Sequence, residues 1–387
     1  MVIDSMGLRD PRHDLRVALV STYPPDRCGI GRFSWSLSTA MRRVPGMSLD
    51  IVRLVGPGDI SSNDPDVVME LDPRSPVAVR SAARRLGRAD VAIIQHEFGI
   101  YGPDDGAAVI DLVSALDIPA VVVLHTVLRD PSPNQRAIIR ALATSTDGLV
   151  ALSGSAEDLL LTSRYGIDPA MVTMIPHGSS WAPQPVTPRP RRRLLTWGLL
   201  GPGKGIERAI GAVADLDIPS PRAVYRVVGQ IHPSVLRRSG PAYRTHLEEL
   251  VAAKGLGEGV EFDDRYQDEA GLLRAVAGAD VVVLPYDNNE QISSGVLTEA
   301  VAAGRPVVAT AFPHAVEMLG GGAGIVVDHD DRSAMTEAIA TLLTDELAYR
   351  RTADAAAELG AKLGWDAIAH RYTKLLSGLV STAGIVA

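Results

Sequence analysis

Short apolar runs alternate with longer amphipathic stretches along most of the chain. The first run, RVALVS at 16–21, is followed by a loop rich in Pro and Gly and by a helical pattern over 30–43. Runs that are continuous in Val, Ile and Leu are typical of strands buried on both faces of a parallel sheet. The first half therefore predicts a doubly wound sheet of five to seven strands. The further strands are predicted at 49–54, 91–95, 120–125, 148–152 and 172–175.

The stretch 180–193 interrupts this alternation with four prolines and a run of arginines, as a linker does. The βα pattern then restarts, so two similar α/β domains are predicted at 1–183 and 194–364, joined by the linker 184–193. A helical pattern over 365–376, within a closing segment of about 365–387, is expected to pack back on the first domain. In the second half, strands are predicted at 194–197, 223–229, 260–262, 281–284, 306–310 and 324–327, and helices at 206–216, 243–254, 269–277, 294–303 and 333–344.

The composition excludes several classes of protein. With 46% hydrophobic and 22% charged residues in 387, the chain differs from a disordered one. Its 38 basic and 46 acidic residues give a net charge of −8, which argues against a general nucleic-acid binder. Cys28 is the single cysteine, so a reducing compartment, the cytoplasm, is expected. No run reaches the roughly 18 apolar residues that span a bilayer. Peripheral contact with the inner face of a membrane stays open.

Two glycine-containing turns lie where ligands of doubly wound sheets bind, after a strand and before a helix. In STYPPDRCGIGRF, Gly29 and Gly31 let the backbone approach an anion at a helix N-terminus, although an ordinary tight turn would also use them. In LTWGLLGPGKGI, Lys204 stands between Gly203 and Gly205, and is one of only four lysines. A diphosphate held by this lysine explains the pattern, and a solvated lysine is the alternative. A Walker A motif needs Ser or Thr after the lysine, and Gly205 stands there instead, so a P-loop NTPase is not favoured.

A third motif, NEQISSGVLTEAVAAGRPVV, begins at residue 289. Ser293 or Ser294 can cap its helix, and Glu299 on the second turn can reach the hydroxyls of a ribose. His96, His125 and His177 form a fourth group, at the ends of strands in the first domain. Their spacing matches no metal-binding motif, so a metal site is not favoured. No G-x-S-x-G elbow is present, so a serine hydrolase is not favoured either.

In this order the motifs resemble those of the retaining, nucleotide-sugar-dependent glycosyltransferases of family 4. The resemblance implies the GT-B fold, in which two Rossmann-like α/β domains face a central cleft. It also implies transfer of a hexose from a nucleotide-diphosphate sugar to a hydroxyl acceptor, with retention and without a cofactor. The likeness covers nearly the whole chain and is carried by STYPPDRCGIGRF, HEFGIYG, LHTV, MIPHG, GLLGPGKGIERAI, VEFDDRY, SSGVLTEAVAAGRPVVAT and WDAIAHRY.

The resemblance assigns roles to individual residues. It implies that Lys204 contacts the donor diphosphate, that His125 lies near the transferred sugar and that Glu299 holds the ribose. Gln291 takes the position of a family glutamate, where an amide can hydrogen-bond a sugar but supplies no charge. Leu199 replaces an arginine that the family uses on phosphate. The other donor contacts that it implies are Gly29, Gly31, Gly203, Ser293, Ser294, Gly295 and, in the base-lining segment 262–267, Tyr266.

Positive potential at the diphosphate is the expected catalytic device, and no paired aspartates are visible for a metal. GDP-mannose is slightly favoured over UDP-glucose as donor. The acceptor, a glycan, glycolipid or small molecule, is expected at loops around 96–102 and 129–136. Two alternatives stay open, a non-catalytic nucleotide-sugar-binding or regulatory protein and a GT-B isomerase or phosphorylase.

Overall fold

The computed structural model describes residues 14–26, 28–184, 191–218, 222–265, 267–288 and 292–386. The chain forms two compact units. The first combines residues 1–178 with the closing segment 365–387, and the second comprises residues 179–364. Most of the predicted linker, residues 185–190, lies outside the described residues. None of the described helices is long and apolar enough to cross a bilayer.

The first unit is built on a seven-stranded parallel sheet in the order β3-β2-β1-β4-β5-β6-β7. Its central strands are continuous apolar runs buried on both faces, which only a sheet covered by helices on each side can shelter. The strands are β1 (Leu15–Ser21), β2 (Met47–Leu54), β3 (Val67–Leu71), β4 (Val91–His96), β5 (Ala120–Leu124), β6 (Gly148–Ala151) and β7 (Val172–Met174). The helices are α1 (Gly29–Met41), α2 (Pro76–Leu86), α3 (Pro103–Gly106), α4 (Ala108–Ser114), α5 (Pro133–Ser145), α6 (Gly154–Leu161) and, from the closing segment, α15 (Trp365–Val386).

The second unit contains a six-stranded parallel sheet in the order β10-β9-β8-β11-β12-β13. Its strands are β8 (Arg193–Trp197), β9 (Val224–Val228), β10 (Val260–Asp263), β11 (Val281–Leu284), β12 (Val307–Thr310) and β13 (Gly324–Val327). Its helices are α7 (Ile206–Ala214), α8 (Pro233–Ser239), α9 (Ala242–Ala253), α10 (Glu269–Gly278), α11 (Gly295–Ala302), α12 (Pro313–Leu319), α13 (Arg332–Thr344) and α14 (Glu346–Gly360). The predicted fold class, α/β with two doubly wound sheets, is confirmed.

The sequence prediction omits three helices of the second unit, α8, α12 and α14, and differs from the structure in two strands. β3 is an edge strand that the prediction omits, because VVMEL is only partly buried and carries the charged Glu70. β5 ends at Leu124, so His125 follows the strand and does not belong to it.

Helix α15 completes the core of the first unit. Trp365 begins it, and the buried Ile368, Tyr372 and Leu376 follow at helical spacing against the core residues of β1, β4 and α1. The Trp365 ring lies directly on the backbone of Gly178, where an added Cβ would come within 2.4 Å of the ring. The two chain segments of the first unit therefore meet at Gly178 and Trp365, too closely for residue 178 to carry a side chain.

We expect the substitution Gly178→Ala to destabilise the protein by about 1–3 kcal/mol, because the methyl group overpacks a buried ring that cannot move aside. The measurement is the midpoint of urea unfolding followed by circular dichroism. Gly378→Ala, in α15 with open space around the added Cβ, is the control and should be neutral or stabilising. Equal midpoints for the two variants would contradict the role of this contact.

Candidate active site

The topology of each sheet creates one place where neighbouring loops part. In the first sheet, successive strands are added on one side from β1 to β3 and on the other side from β4 to β7, so the strand order reverses between β1 and β4. In the second sheet it reverses between β8 and β11. Loops that follow such neighbouring strands turn to opposite faces of the sheet and leave a crevice at the carboxyl edge, where ligands bind. The loop after β1 leads to Gly29 and Gly31 and is called the glycine loop. The loop after β8 contains Lys204 and is called the Lys204 loop. Both lie at these switch points.

The loop after β1 ends in the N-terminus of α1. Cys28 caps this helix, its Sγ accepting a hydrogen bond from the Gly31 N–H at 3.2 Å. A Cβ at Gly31 would lie 3.4 Å from the backbone nitrogen of Tyr23, so the helix start packs tightly on the loop. Gly29 has open space around it, which leaves its backbone approachable. A helix N-terminus with small residues at its first turn suits an anion.

A buried charge cluster, which the sequence analysis missed, fixes the same loop. The Arg53 side chain on β2 is fully buried and donates to Asp26 in the loop at 2.6 Å and to Glu70 on β3 at 2.7 Å. The pKa of Glu70 is lowered, mainly because its carboxylate accepts a hydrogen bond from the backbone N–H of Ser62. Burial acts in the opposite direction, and the Ser61 hydroxyl and Arg53 lower the pKa further. Sequence spacing carries no sign of this cluster because its members are 17 and 27 residues apart.

Phe33, on α1, brings two of the predicted histidines together. Its ring centroid lies 4.8 Å from that of His125 and 5.0 Å from that of His177, edge-on in both cases. Trp365 contacts the same ring at 5.0 Å. The two histidines that follow β5 and β7 are thus joined to the helix that begins at the glycine loop.

Neutral imidazoles are expected here. His125 Nε2 lies 2.6 Å from Oε1 of Gln95, a fully buried residue of β4. Burial lowers the pKa of His125 to about 3, and the nearby His177 and His96 reinforce that shift. Burial alone lowers the pKa of His96 to about 4, and both of its ring nitrogens are buried without a hydrogen-bond partner among the described residues.

The Lys204 loop depends on its glycines. Gly203 and Gly205 have φ values of +90° and +62°, and a Cβ at Gly205 would lie 1.7 Å from the carbonyl oxygen of Pro285. This close approach places the loop against the segment after β11, where Lys204 Nζ lies 4.4 Å from the centroid of the Tyr286 ring. A cation–π contact holds the ammonium group, and no carboxylate of the described residues forms an ion pair with it.

Helix α11 begins beside this segment. Ser294 caps it by accepting the Leu297 N–H at 3.2 Å, and its own N–H donates to Nδ1 of the buried His314 at 2.9 Å. Burial lowers the pKa of His314 to about 4, so it stays a neutral acceptor. Sequence reasoning gave no signal for His314, which belongs to α12. Glu299 lies on the second turn and is half-buried, and Ser293 and Gly295 flank the cap.

Two predicted contacts, Tyr266 and Gln291, lie outside the described residues. Three residues before Tyr266 in the sequence, the Asp263 carboxylate accepts hydrogen bonds from Arg265 and Arg226 at 2.8 Å. The hydrogen bond from Arg265 is the main cause of the lowered pKa of Asp263. An open hollow of about 580 Å³ lies here, lined by Arg226, Glu261, Phe262, Asp263, Asp264 and Arg265. Among the described residues, no group of three or more His, Cys, Asp or Glu side chains is placed to hold a metal.

Comparisons with known proteins agree with this architecture. The D-inositol 3-phosphate glycosyltransferase of Kineococcus radiotolerans is 32% identical over 289 residues, which cover 66% of this chain and 65% of that protein. The phosphatidyl-myo-inositol mannosyltransferase of Mycobacterium leprae is 32% identical over 133 residues, 34% of this chain and 35% of that protein. This chain thus spans less than two thirds of the length of these relatives.

The structure is similar to the sucrose-phosphate synthase from Thermosynechococcus elongatus, with a TM-score of 0.76, 21% identity and coverage of 95% of this chain and 100% of that one. The likeness shows the GT-B fold. Residues 11–179 match the family model described as Glycosyltransferase Family 4, and residues 191–345 match Glycosyl transferases group 1. The chain therefore belongs to the group 1 glycosyltransferases of family 4, a family of GT-B enzymes.

Proposed function

We propose that the protein transfers a hexose from a nucleotide-diphosphate sugar to a hydroxyl acceptor, with retention of configuration and without a metal ion. The observation that best supports this proposal is the Lys204 loop. A lysine between two glycines of positive φ lies at the switch point of the second sheet, with its ammonium group on a neutral ring. Such a group is available to an anionic leaving group.

Breaking the bond between sugar and diphosphate leaves negative charge on the diphosphate. In the proposed mechanism Lys204 and the N-terminus of α11 meet this charge, with backbone groups of Gly203, Ser293, Ser294 and Gly295 as further donors. Glu299 accepts hydrogen bonds from the ribose. The diphosphate oxygen takes the proton of the attacking acceptor hydroxyl on the same face of the sugar. No separate acid is required by this route.

The first unit contributes the glycine loop and His125. The N-terminus of α1, with Gly29 and Gly31, is proposed to face the diphosphate. Neutral His125, its Nε2 hydrogen-bonded to Gln95, is proposed to bind a hydroxyl of the transferred sugar. Family resemblance alone supports Gln291 as a further sugar contact and Tyr266 as a contact to the base.

The sugar and acceptor are narrower parts of the proposal. One relative is named a mannosyltransferase, which supports GDP-mannose over UDP-glucose as the donor. A polyol phosphate is the acceptor class suggested by the names of the relatives. Its anionic group would suit a hollow of about 440 Å³ in the first unit, lined by Asp130, Pro131, Arg136, Ser163 and Arg164. The Nε group of Arg136 is buried there without a hydrogen-bond partner. The single cysteine supports a cytoplasmic location.

A donor panel tests the proposal. GDP-mannose, UDP-glucose and other nucleotide sugars are each mixed with the protein, and thermal unfolding and release of nucleoside diphosphate are followed. A true donor at 100 times its dissociation constant should stabilise the fold by about 2.7 kcal/mol. Slow release of nucleoside diphosphate supports the transferase. Stabilisation without release, even with polyol phosphates present, would identify a non-catalytic binding protein.

Lys204→Met should lower kcat for diphosphate release about 100-fold to 1,000-fold, because one preorganised donor to the leaving group is worth about 3 kcal/mol. The methionine keeps the length of the side chain and its contact with Tyr286. Lys254→Met, at the exposed end of α9, is the matched control and should retain full activity. Similar rates in the two variants would remove Lys204 from the mechanism.

The pH dependence tests the state of His125. With its pKa lowered to about 3, the imidazole stays neutral as the pH falls from 8 to 5.5, whereas an ordinary histidine would become protonated near 6.5. We therefore expect kcat/KM for the donor to show no inflection near pH 6.5. His177→Gln is measured in parallel, since His177 is the neighbouring imidazole. An inflection near 6.5 in both proteins would contradict a neutral His125.

A further inference from the structure

The charge cluster of Arg53, Asp26 and Glu70 has no part in the proposed chemistry, yet it is costly to build. The Arg53 side chain has 0% exposure, and both carboxylates are at least partly withdrawn from water. A buried ion pair seldom adds stability compared with well-packed apolar residues. The cluster therefore points to a role other than stability, such as holding another part of the chain in position.

The guanidinium group joins three segments of the first unit. Nη2 donates to Asp26 Oδ1 at 2.6 Å, Nη1 donates to Glu70 Oε1 at 2.7 Å, and Nε donates to the Tyr23 carbonyl oxygen at 3.2 Å. Tyr23 and Asp26 both belong to the loop between β1 and α1. A planar group with fixed donors sets the orientation as well as the position of this loop.

A second tether reaches the same loop from the other side. The Ser62 hydroxyl donates to the Pro24 carbonyl oxygen at 2.9 Å, and the Ser62 N–H donates to Glu70 Oε1 at 2.8 Å. Glu70 thus connects both tethers. The loop that they hold leads directly into Cys28, the cap of α1, and into the glycines of its first turn.

Charge gives the cluster a second effect. Asp26 lies three residues before Gly29, at the helix N-terminus that is proposed to face the diphosphate. A free carboxylate at this place would repel an anionic donor. Arg53 offsets part of this negative charge, although it is shared with Glu70, so the three side chains together keep a formal charge of −1.

We propose that Arg53 is a positioning residue for the donor diphosphate. It acts through Asp26, holding the loop before α1 in place and offsetting part of the negative charge of that carboxylate. This inference rests on the proposed function. It adds a residue that touches neither the sugar nor the nucleotide.

Arg53→Met is the first test, measured by donor KM and kcat. We expect KM to rise at least about tenfold, the effect of losing one hydrogen bond to a charged group, while kcat changes by less than about threefold. In Arg53→Met/Asp26→Asn the unpaired carboxylate of Asp26 is gone but the loop is still untethered, so only part of the rise in KM should disappear. Arg85→Met removes another Arg–Asp pair of the same unit, to Asp50 on β2 at 3.1 Å, and should leave both constants unchanged.

Two measurements make the result independent of folding and of the proposed function. Asp26→Asn alone keeps Arg53 in place and should also raise KM, so the inference survives if Arg53→Met does not fold. Amide hydrogen exchange needs no donor. The amides at the start of α1 should exchange faster in Asp26→Asn and Arg53→Met than in Arg85→Met.

Unchanged exchange and unchanged KM in an active enzyme would overturn the inference. Wild-type protein that neither binds nor cleaves any nucleotide sugar would instead overturn the proposed function. The link to the donor would then fail too, even if the exchange results showed that Arg53 holds the loop.

Discussion

Parallel strand order is the constraint on which the rest of the structure depends. Within each sheet the strands run parallel, so the loops that follow them leave from one edge of that sheet. The order reverses between β1 and β4 and again between β8 and β11, and at each reversal the backbone must leave a gap. The glycine loop and the Lys204 loop occupy these gaps.

Much of the fold was predictable because buried parallel strands have an unmistakable pattern. Runs such as VAIIQH and AVVVL need shelter on both faces, and this dictates helices between them. Edge strand β3 lacked that pattern. At the site, Gly203 and Gly205 were visible since positive φ restricts the choice of residue. Gln95, His314 and Arg53 were not, because each acts through a partner that only the tertiary fold brings near.

The site relies on neutral partners as much as on charges. Tyr286 holds the Lys204 ammonium group through its ring, so the positive charge is held in place but not cancelled. His125 and His314 are kept uncharged by burial and act as fixed hydrogen-bonding groups. Arg53 is charged instead and offsets part of the negative charge of Asp26, two residues before the cap of α1. Potential at the proposed donor site is thus shaped by offsetting negative charge near α1 and by a Lys204 ammonium group that no carboxylate of the described residues pairs with.

The closing helix α15 also has a consequence for biosynthesis. The core of the first unit contains residues from both ends of the chain, with the whole second unit lying between them in sequence. During translation the second unit can therefore finish folding first, while the first unit waits with the faces of β1, β4 and α1 that later receive α15 uncovered. Apolar surface of that kind is what chaperones bind. The first unit is thus complete only after residues 365–386, made later than the second unit, have been added to its core.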